Sequence, residues 1–400
     1  MTSPDLGSLV LVLAASTAGA ILSRVHRRVV LPTVVVEIVL GILIGSEVLD
    51  IAKPDAYIEF LANIGLVFLF FFAGLEVIEK HVQRRSLALG TGGWVISLAI
   101  GLTVGLLLER AGLDAEGWLL GVALATTTLG TLVPILSDAG LTSTPLGRAV
   151  LGTGVAGEFW PIVVISVFLT GVYGAAVEVI LLIVFSGLVA LAAAAAVRAR
   201  PYRVIKALRE TMHTTGQAAV RLTVFLLAAL VWLANDVGFD FVLGAFAAGL
   251  VVGLALDTPE GGVVRMRLEG IGFGFVIPIY FVVTGMNFDL DSLLSARGLS
   301  LAALFVLLLF VVRGASSLLW VRELSRRQTL GLAFFGATGL PLIVAIVGIG
   351  TGRGAIGADV GASLVGAGMI SVLVFPLLAT AVAGRRPTEE RPESVPIPEY

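Results

Sequence analysis

Long apolar runs alternate with short charged stretches along almost the whole chain. A helix that crosses a bilayer needs about 20 predominantly apolar residues. On that template thirteen segments stand out: 7–23, 29–46, 57–76, 86–108, 117–137, 146–171, 176–197, 214–234, 238–256, 270–288, 299–321, 328–350 and 357–383. The pattern predicts an all-α polytopic membrane protein with no inserted soluble domain. The first run follows MTSPDLG, which has no basic segment, so it is expected to be a retained span and not a cleaved signal. After Gly384 the chain turns Pro- and charge-rich (RRPTEERPESVPIPEY), and residues 385–400 are expected to form a disordered cytoplasmic tail.

The basic residues are distributed unevenly between alternate loops. Of 26 Lys and Arg, 20 fall in the loop after the first span, every second loop after it and the tail. The opposite loops hold only Lys53, Arg110, Arg297 and Arg353, while Arg221 and Arg313 lie inside spans. Positive charge stays in the cytoplasm. The N-terminus is therefore expected outside and the C-terminus inside, in the plasma membrane.

A repeat is visible in the small residues. Gly41 to Gly45 (GILIG) resembles Gly249 to Gly253 (GLVVG) at an offset of 208, Gly74 matches Gly285 at 211, and Pro134 matches Pro341 at 207. Matching spans lie seven apart, an odd number, so the two halves cross the membrane in opposite senses. The expected transmembrane domain, 1–384, thus divides into a first inverted repeat (1–172), a connector (173–213) and a second repeat (214–384). Inverted repeats with Gly- or Pro-interrupted helices at matching positions mark alternating-access transporters.

Composition narrows the chemistry. The chain is 58% hydrophobic and 14% charged, which excludes a soluble domain, and it shows no basic patch for nucleic acid. It has no cysteine, which rules out disulfides and thiol catalysis. His26, His81 and His213 lie in loops without metal-ligand spacing, and no enzyme motif is present. No cofactor is expected beyond the transported ions.

Glu158 stands about midway through the sixth span. An ionised carboxylate at that depth costs at least a few kcal/mol, so it should face a cavity or a partner. Such a group can hold a proton or a monovalent cation, and competition between the two is the minimal basis of an antiporter. Arg313, in the eleventh span, cannot deprotonate, and is assigned to charge balance opposite half-helix ends or near Glu158. The fifth span is broken by Thr126, Thr127, Thr128, Gly130 and Thr131, with Pro134 freeing the carbonyl of Gly130. The twelfth is broken at Gly339 and Pro341. Hydroxyls and freed carbonyls suit a hard alkali cation. Glu37 reads as a packing residue, and Glu76, Asp138 and Asp289 as solvated span ends; Pro161 fits a kink or a ligand equally well.

These segments, LPTVVVEIVLGILIGS, FLFFFAGLEV, ATTTLGTLVPILSDAG, LGRAVLGTGVAGE, IPIYFVVTGMNFDL and GLAFFGATGLPLIVAIVGIG, resemble in order those of the monovalent cation:proton antiporters of the Kef and sodium/proton exchanger type. The resemblance implies thirteen or so spans, a core with two crossed discontinuous helices, a dimerisation domain and a homodimer. It gives Thr127 and Thr128 the family's break, Glu158 the place of its core aspartate and Arg313 that of its basic residue. Where the family usually carries Asp-Asp or Asn-Asp, this chain has Gly157-Glu158, and where Arg-Gly-Glu is often found it has Thr338-Gly339-Leu340. A lone acid beside a permanent Arg predicts electroneutral exchange of H+ for Na+ or K+, with the ion held by Glu158, Thr127, Thr128, Thr131 and Gly157. The chain runs only about 17 residues past its last span, so no fused regulatory domain is expected. A passive cation channel and a transport-dead ion sensor on the same scaffold are the alternatives.

Overall fold

The computed structural model describes residues 5–25, 31–76, 83–168, 217–256 and 261–383, with single positions at 187, 189, 191 and 194. Apart from those single positions the predicted seventh span lies outside these residues, as do the three histidines and the tail. In order, the described residues form α1 (Leu6–Val25), α2 (Thr33–Ile44), α3 (Ala56–Glu76), α4 (Arg84–Arg110), α5 (Gly117–Leu124), α6 (Leu129–Asp138), α7 (Pro145–Phe168), α8 (Ala218–Val237) and α9 (Phe241–Ala255). There follow α10 (Gly261–Ile271), a π-helical turn (Gly272–Val276), α11 (Ile277–Met286), α12 (Leu290–Leu294), α13 (Ala296–Gly314), a 3-10 turn (Ala315–Trp320), α14 (Arg326–Gly336), α15 (Pro341–Gly352) and α16 (Ala358–Ala383). Among the described residues there is no β-strand beyond one isolated bridge, Ala115 to Ile356. Lipid offers no partner for backbone polar groups, and a helix satisfies them within one segment.

Among the described residues, nine helical segments are long and apolar enough to cross a membrane, and Thr33–Ile44 and Phe241–Ala255 are shorter apolar helices. The predicted fifth span is two short helices, α5 and α6. The chain is thus a multi-pass membrane protein.

Large apolar side chains such as Phe60, Phe225, Trp232 and Leu318 are exposed. α15, by contrast, is buried from Pro341 to Val347. It forms the centre of the bundle.

Two close helix crossings set the frame. A Cβ on Gly41 of α2 would fall on the carbonyl oxygen of Val282 and 2.9 Å from the Cα of Gly285 in α11. A Cβ on Gly249 of α9 would fall on the carbonyl of Phe71 and 3.0 Å from the Cα of Gly74 in α3. Only glycine allows backbones to approach so closely, which is how helices pack tightly without a hydrophobic drive in lipid.

The breaks lie at residues 125–128 and 337–340, between α5 and α6 and between α14 and α15. This corrects the expectation for Gly130 and Pro134, which lie inside α6. Thr131, also expected in the break, lies inside α6 as well, and the unwound residues include Thr126, Thr127 and Thr128, the other threonines expected there. Thr126 turns its hydroxyl back onto the carbonyl of Ala123 at 2.8 Å, and Thr128 donates its N–H across to the carbonyl of Thr338 at 3.0 Å. Pro341 does sit at a break, as the first residue of α15. Pro161 is accommodated inside α7.

Candidate functional site

The two unwound segments cross and share hydrogen bonds. Besides the Thr128 to Thr338 bond, the N–H of Leu340 donates to the hydroxyl of Thr128 at 3.3 Å. The N–H of Thr127 donates to the carbonyl of Gly157 on α7 at 3.0 Å. Thr126, Thr127, Thr128 and Thr338 are all buried. The crossing brings together the N-termini of α6 and α15 and the C-termini of α5 and α14. Helix N-termini carry partial positive charge and C-termini partial negative charge.

Glu158 is placed where that polarity favours an anion. Its Oε2 accepts from the N–H of Leu129, the first residue of α6, at 3.3 Å. The side chain is half-buried, and its neighbours in sequence pack into aromatic pairs. The Phe159 ring lies 5.4 Å from that of Phe246, and the Trp160 ring stacks on Trp94 at 5.9 Å. The carboxylate is therefore close to the broken helices.

Arg313 is fully buried at the opposite pole. Its Nε donates to the hydroxyl of Thr127 at 2.8 Å and to the carbonyl of Gly336, the last residue of α14, at 3.2 Å. Nη1 reaches Ser97 Oγ at 3.3 Å and Nη2 the carbonyl of Thr153 at 3.2 Å. A fixed positive charge thus offsets the negative end of α14. Thr127 passes the contact on, because its hydroxyl also donates to the carbonyl of Gly336. With one lone pair taken by Arg313 and its proton given to Gly336, Thr127 serves here as a bridge between the two broken helices.

The glycine before Glu158 has a spatial cause. A Cβ on Gly157 would stand 2.6 Å from Arg313 Nη2 and 2.7 Å from the Cβ of Thr127. A second acid at this position cannot coexist with the present placement of Arg313. Gly157 contributes a carbonyl, already accepting from Thr127, and room.

One acid was undervalued by sequence reasoning. Glu76 closes α3 and was read as a solvated span end. Its carboxylate oxygens lie 3.7 and 4.0 Å from the point where a Cβ on Gly130 would stand, in the first turn of α6. Two carboxylates, Glu76 and Glu158, thus flank the N-terminus of one half-helix. Its place two residues after the Gly74 crossing, in FLFFFAGLEV, was the signal that could have found it.

The remaining candidates fall elsewhere. Glu37 is buried in α2 against Gly19 of α1, a packing position as expected. Asp289 caps α12 through the N–H of Ser292 at 2.8 Å. The side chains of Thr131, Pro134 and Asp138 lie outside the described residues. No cluster of three or more His, Cys, Asp or Glu that could hold a metal occurs among the described residues.

A cavity of about 990 Å³ opens at one end of the bundle, between α3, α11, α15, α16 and the α8–α9 connection. Glu59, Asp240, Asp289 and Arg353 are at its walls, and it descends to Val344 and Ala345 of α15. Asp240 and Arg353 pair across it at 3.0 Å.

Residues 12–383 match the sodium/hydrogen exchanger, transmembrane, family. YjbQ of Bacillus subtilis, provisionally named a Na+/H+ antiporter, is 26% identical over 416 residues, 98% of this chain and 65% of the relative. The chain therefore spans about two thirds of that relative's length. The Na+/H+ antiporter of Enterococcus hirae is 26% identical over 77% of this chain and 78% of its own length. The Na+/H+-K+ antiporter GerN of Bacillus cereus is 24% identical over 66% and 67%. The solved structure of the sodium proton antiporter MjNhaP1 from Methanocaldococcus jannaschii shares the fold with a TM-score of 0.65, at 18% identity, over 94% of this chain and 99% of that one.

Proposed function

The chain belongs to the transmembrane sodium/hydrogen exchanger family, and we propose that it is a secondary active antiporter exchanging protons for Na+ or K+ by alternating access. The observation that carries this is the Glu158 carboxylate held at the N-terminus of α6, beside a crossing of two unwound segments. An anion there is stabilised by the helix end, and either a proton or an alkali cation neutralises it. Binding of one expels the other. Relatives named for Na+ alone and for Na+ and K+ keep both cations in view.

Exchange is electroneutral in this proposal. Arg313 keeps its charge throughout, its donors committed to Thr127, Gly336, Ser97 and Thr153. Glu158 then changes by one charge per turn. Glu76, half-buried at the end of α3, supplies a further oxygen. Thr128 and the carbonyl of Gly157 complete the oxygen set, with Thr127 linking that set to Arg313.

The movement rests on an inverted repeat within thirteen spans. A repeat that carries Gly41 onto Gly249 and Gly74 onto Gly285 turns the Gly41–Gly285 crossing into a Gly249–Gly74 crossing, and both crossings are present. The first residues after the breaks, Leu129 and Pro341, are 212 positions apart, close to the 208 and 211 of the glycine pairs. The transmembrane domain (1–384), with its halves at 1–172 and 214–384, then comprises a moving core around the crossing and a dimerisation domain that pairs two copies. We place the cavity at the Asp240 end outside the cell, the N-terminus outside and the C-terminus in the cytoplasm.

The test is proton movement in sealed proteoliposomes followed by fluorescence dequenching on addition of Na+, K+, Li+ or choline. Wild type should respond to an alkali cation and not to choline, and Glu158→Ala should be silent. Absence of any cation-dependent proton movement overturns the proposal. A passive channel would instead pass cation without moving protons. A cation-driven current on solid-supported membranes that is lost in Glu158→Gln would contradict electroneutrality.

A further inference from the structure

We infer that Ser371 is a positioning residue of the cation site, holding in the second break the place that Glu158 holds in the first; this rests on the exchange function just proposed. Ser371 is fully buried on α16. Its Oγ accepts from the N–H of Gly339 at 3.2 Å and lies 3.0 Å from the carbonyl oxygen of the same residue. It also lies 2.7 Å from the carbonyl of Gly368. Gly339 is flanked by the two residues that bind Thr128, through the carbonyl of Thr338 and the N–H of Leu340. One hydroxyl on α16 therefore fixes the middle of a three-residue strip whose two ends grip the first break.

The register supports the equivalence. Glu158 and Ser371 are 213 positions apart, as are Pro145 and Ala358, the first residues of α7 and α16. Each side chain accepts from a backbone N–H at a break, Leu129 in one case and Gly339 in the other. The serine supplies the same hydrogen bond without a charge. Its single proton reaches either Gly368 or Gly339 but not both, so the Gly339 carbonyl can be released while its N–H stays held. The crossing is thus kept in shape from a helix that contributes no ligand of its own.

The test compares Ser371→Ala and Ser371→Thr with Ser363→Ala, a control for an equally buried serine on the same helix that bonds the carbonyl of Gly298 at 3.2 Å, away from the breaks. In proteoliposomes Ser371→Ala should raise the apparent KM for Na+ about tenfold, the equivalent of one buried hydrogen bond, with a smaller fall in maximal rate. Ser371→Thr, which keeps the hydroxyl, should restore KM, and Ser363→Ala should leave it unchanged. A folded Ser371→Ala protein with wild-type KM overturns the inference, and so does an equal KM change in Ser363→Ala. Should Ser371→Ala fail to fold, a wild-type KM in folded Ser371→Cys, a weaker hydrogen-bonding group of similar size, overturns it in the same way. If wild type shows no exchange, the proposed function falls. Hydrogen–deuterium exchange then decides this inference separately: residues 337–340 must lose protection in Ser371→Ala and not in Ser363→Ala.

Discussion

The two breaks use one backbone device and differ in charge. At 125–128 the chain unwinds beside two carboxylates, Glu158 and Glu76, and a half-helix N-terminus faces an anion. At 337–340 it unwinds beside neutral hydroxyls, those of Ser371 and Thr128, with Arg313 at the end of α14. A crossing of this kind needs only polar atoms to cover its exposed backbone. In the proposed exchange, the ion chemistry belongs to the first break and the second is its support.

The largest effect that could break this contrast is at Glu158. Replacing it with Gln should abolish cation-dependent proton movement in proteoliposomes while leaving the melting temperature in detergent near wild type, since an amide oxygen still accepts from Leu129. Residual exchange would move the chemistry elsewhere. Next comes Arg313→Ala, which removes the charged donor shared by Thr127, Gly336, Ser97 and Thr153 and leaves the Gly336 carbonyl only the Thr127 hydroxyl. It should cost about 2–4 kcal/mol, read as a fall in melting temperature, and a stable, active variant would show that the α14 end needs no cation.

A smaller effect is expected for Glu76→Gln. If Glu76 is an auxiliary oxygen in the first break, apparent cation KM should rise several-fold with exchange retained, measured by the same dequenching assay. Complete loss would make Glu76 a co-equal of Glu158. The smallest change is Thr338→Val, on the neutral side. Its hydroxyl bonds only back to Phe334 within the described structure, at 3.1 Å, so exchange should persist with a stability loss of about 1 kcal/mol. A large loss of transport there would erase the contrast between the breaks.

Much of this was legible in the residues. The spans follow from the roughly 20-residue apolar template, and the described helices agree with it in position, as at 57–76 against Ala56–Glu76 and 357–383 against Ala358–Ala383. Glu158 and Arg313 stood out because charge at membrane depth is costly. Gly130 and Pro134 were drawn into the first break because a missing N–H is visible in sequence, whereas the turn of the Thr126 hydroxyl onto Ala123 and the carbonyl of Thr338, 210 residues from the Thr128 N–H it accepts from, are not. Glu76 was misread because a span end in sequence is not the same as a surface in space: α3 delivers it to α6. Why Gly157 is a glycine could be seen only once Arg313 Nη2 was found beside it.

Competition at a single acid makes one quantitative demand on transport. In proteoliposomes with the internal pH held fixed, the apparent KM for Na+ or K+ on the external face should rise tenfold for each unit the pH falls on the acid limb, at constant maximal rate. A KM that stays level with pH while the maximal rate falls would show that proton and cation do not share Glu158, and would contradict the account.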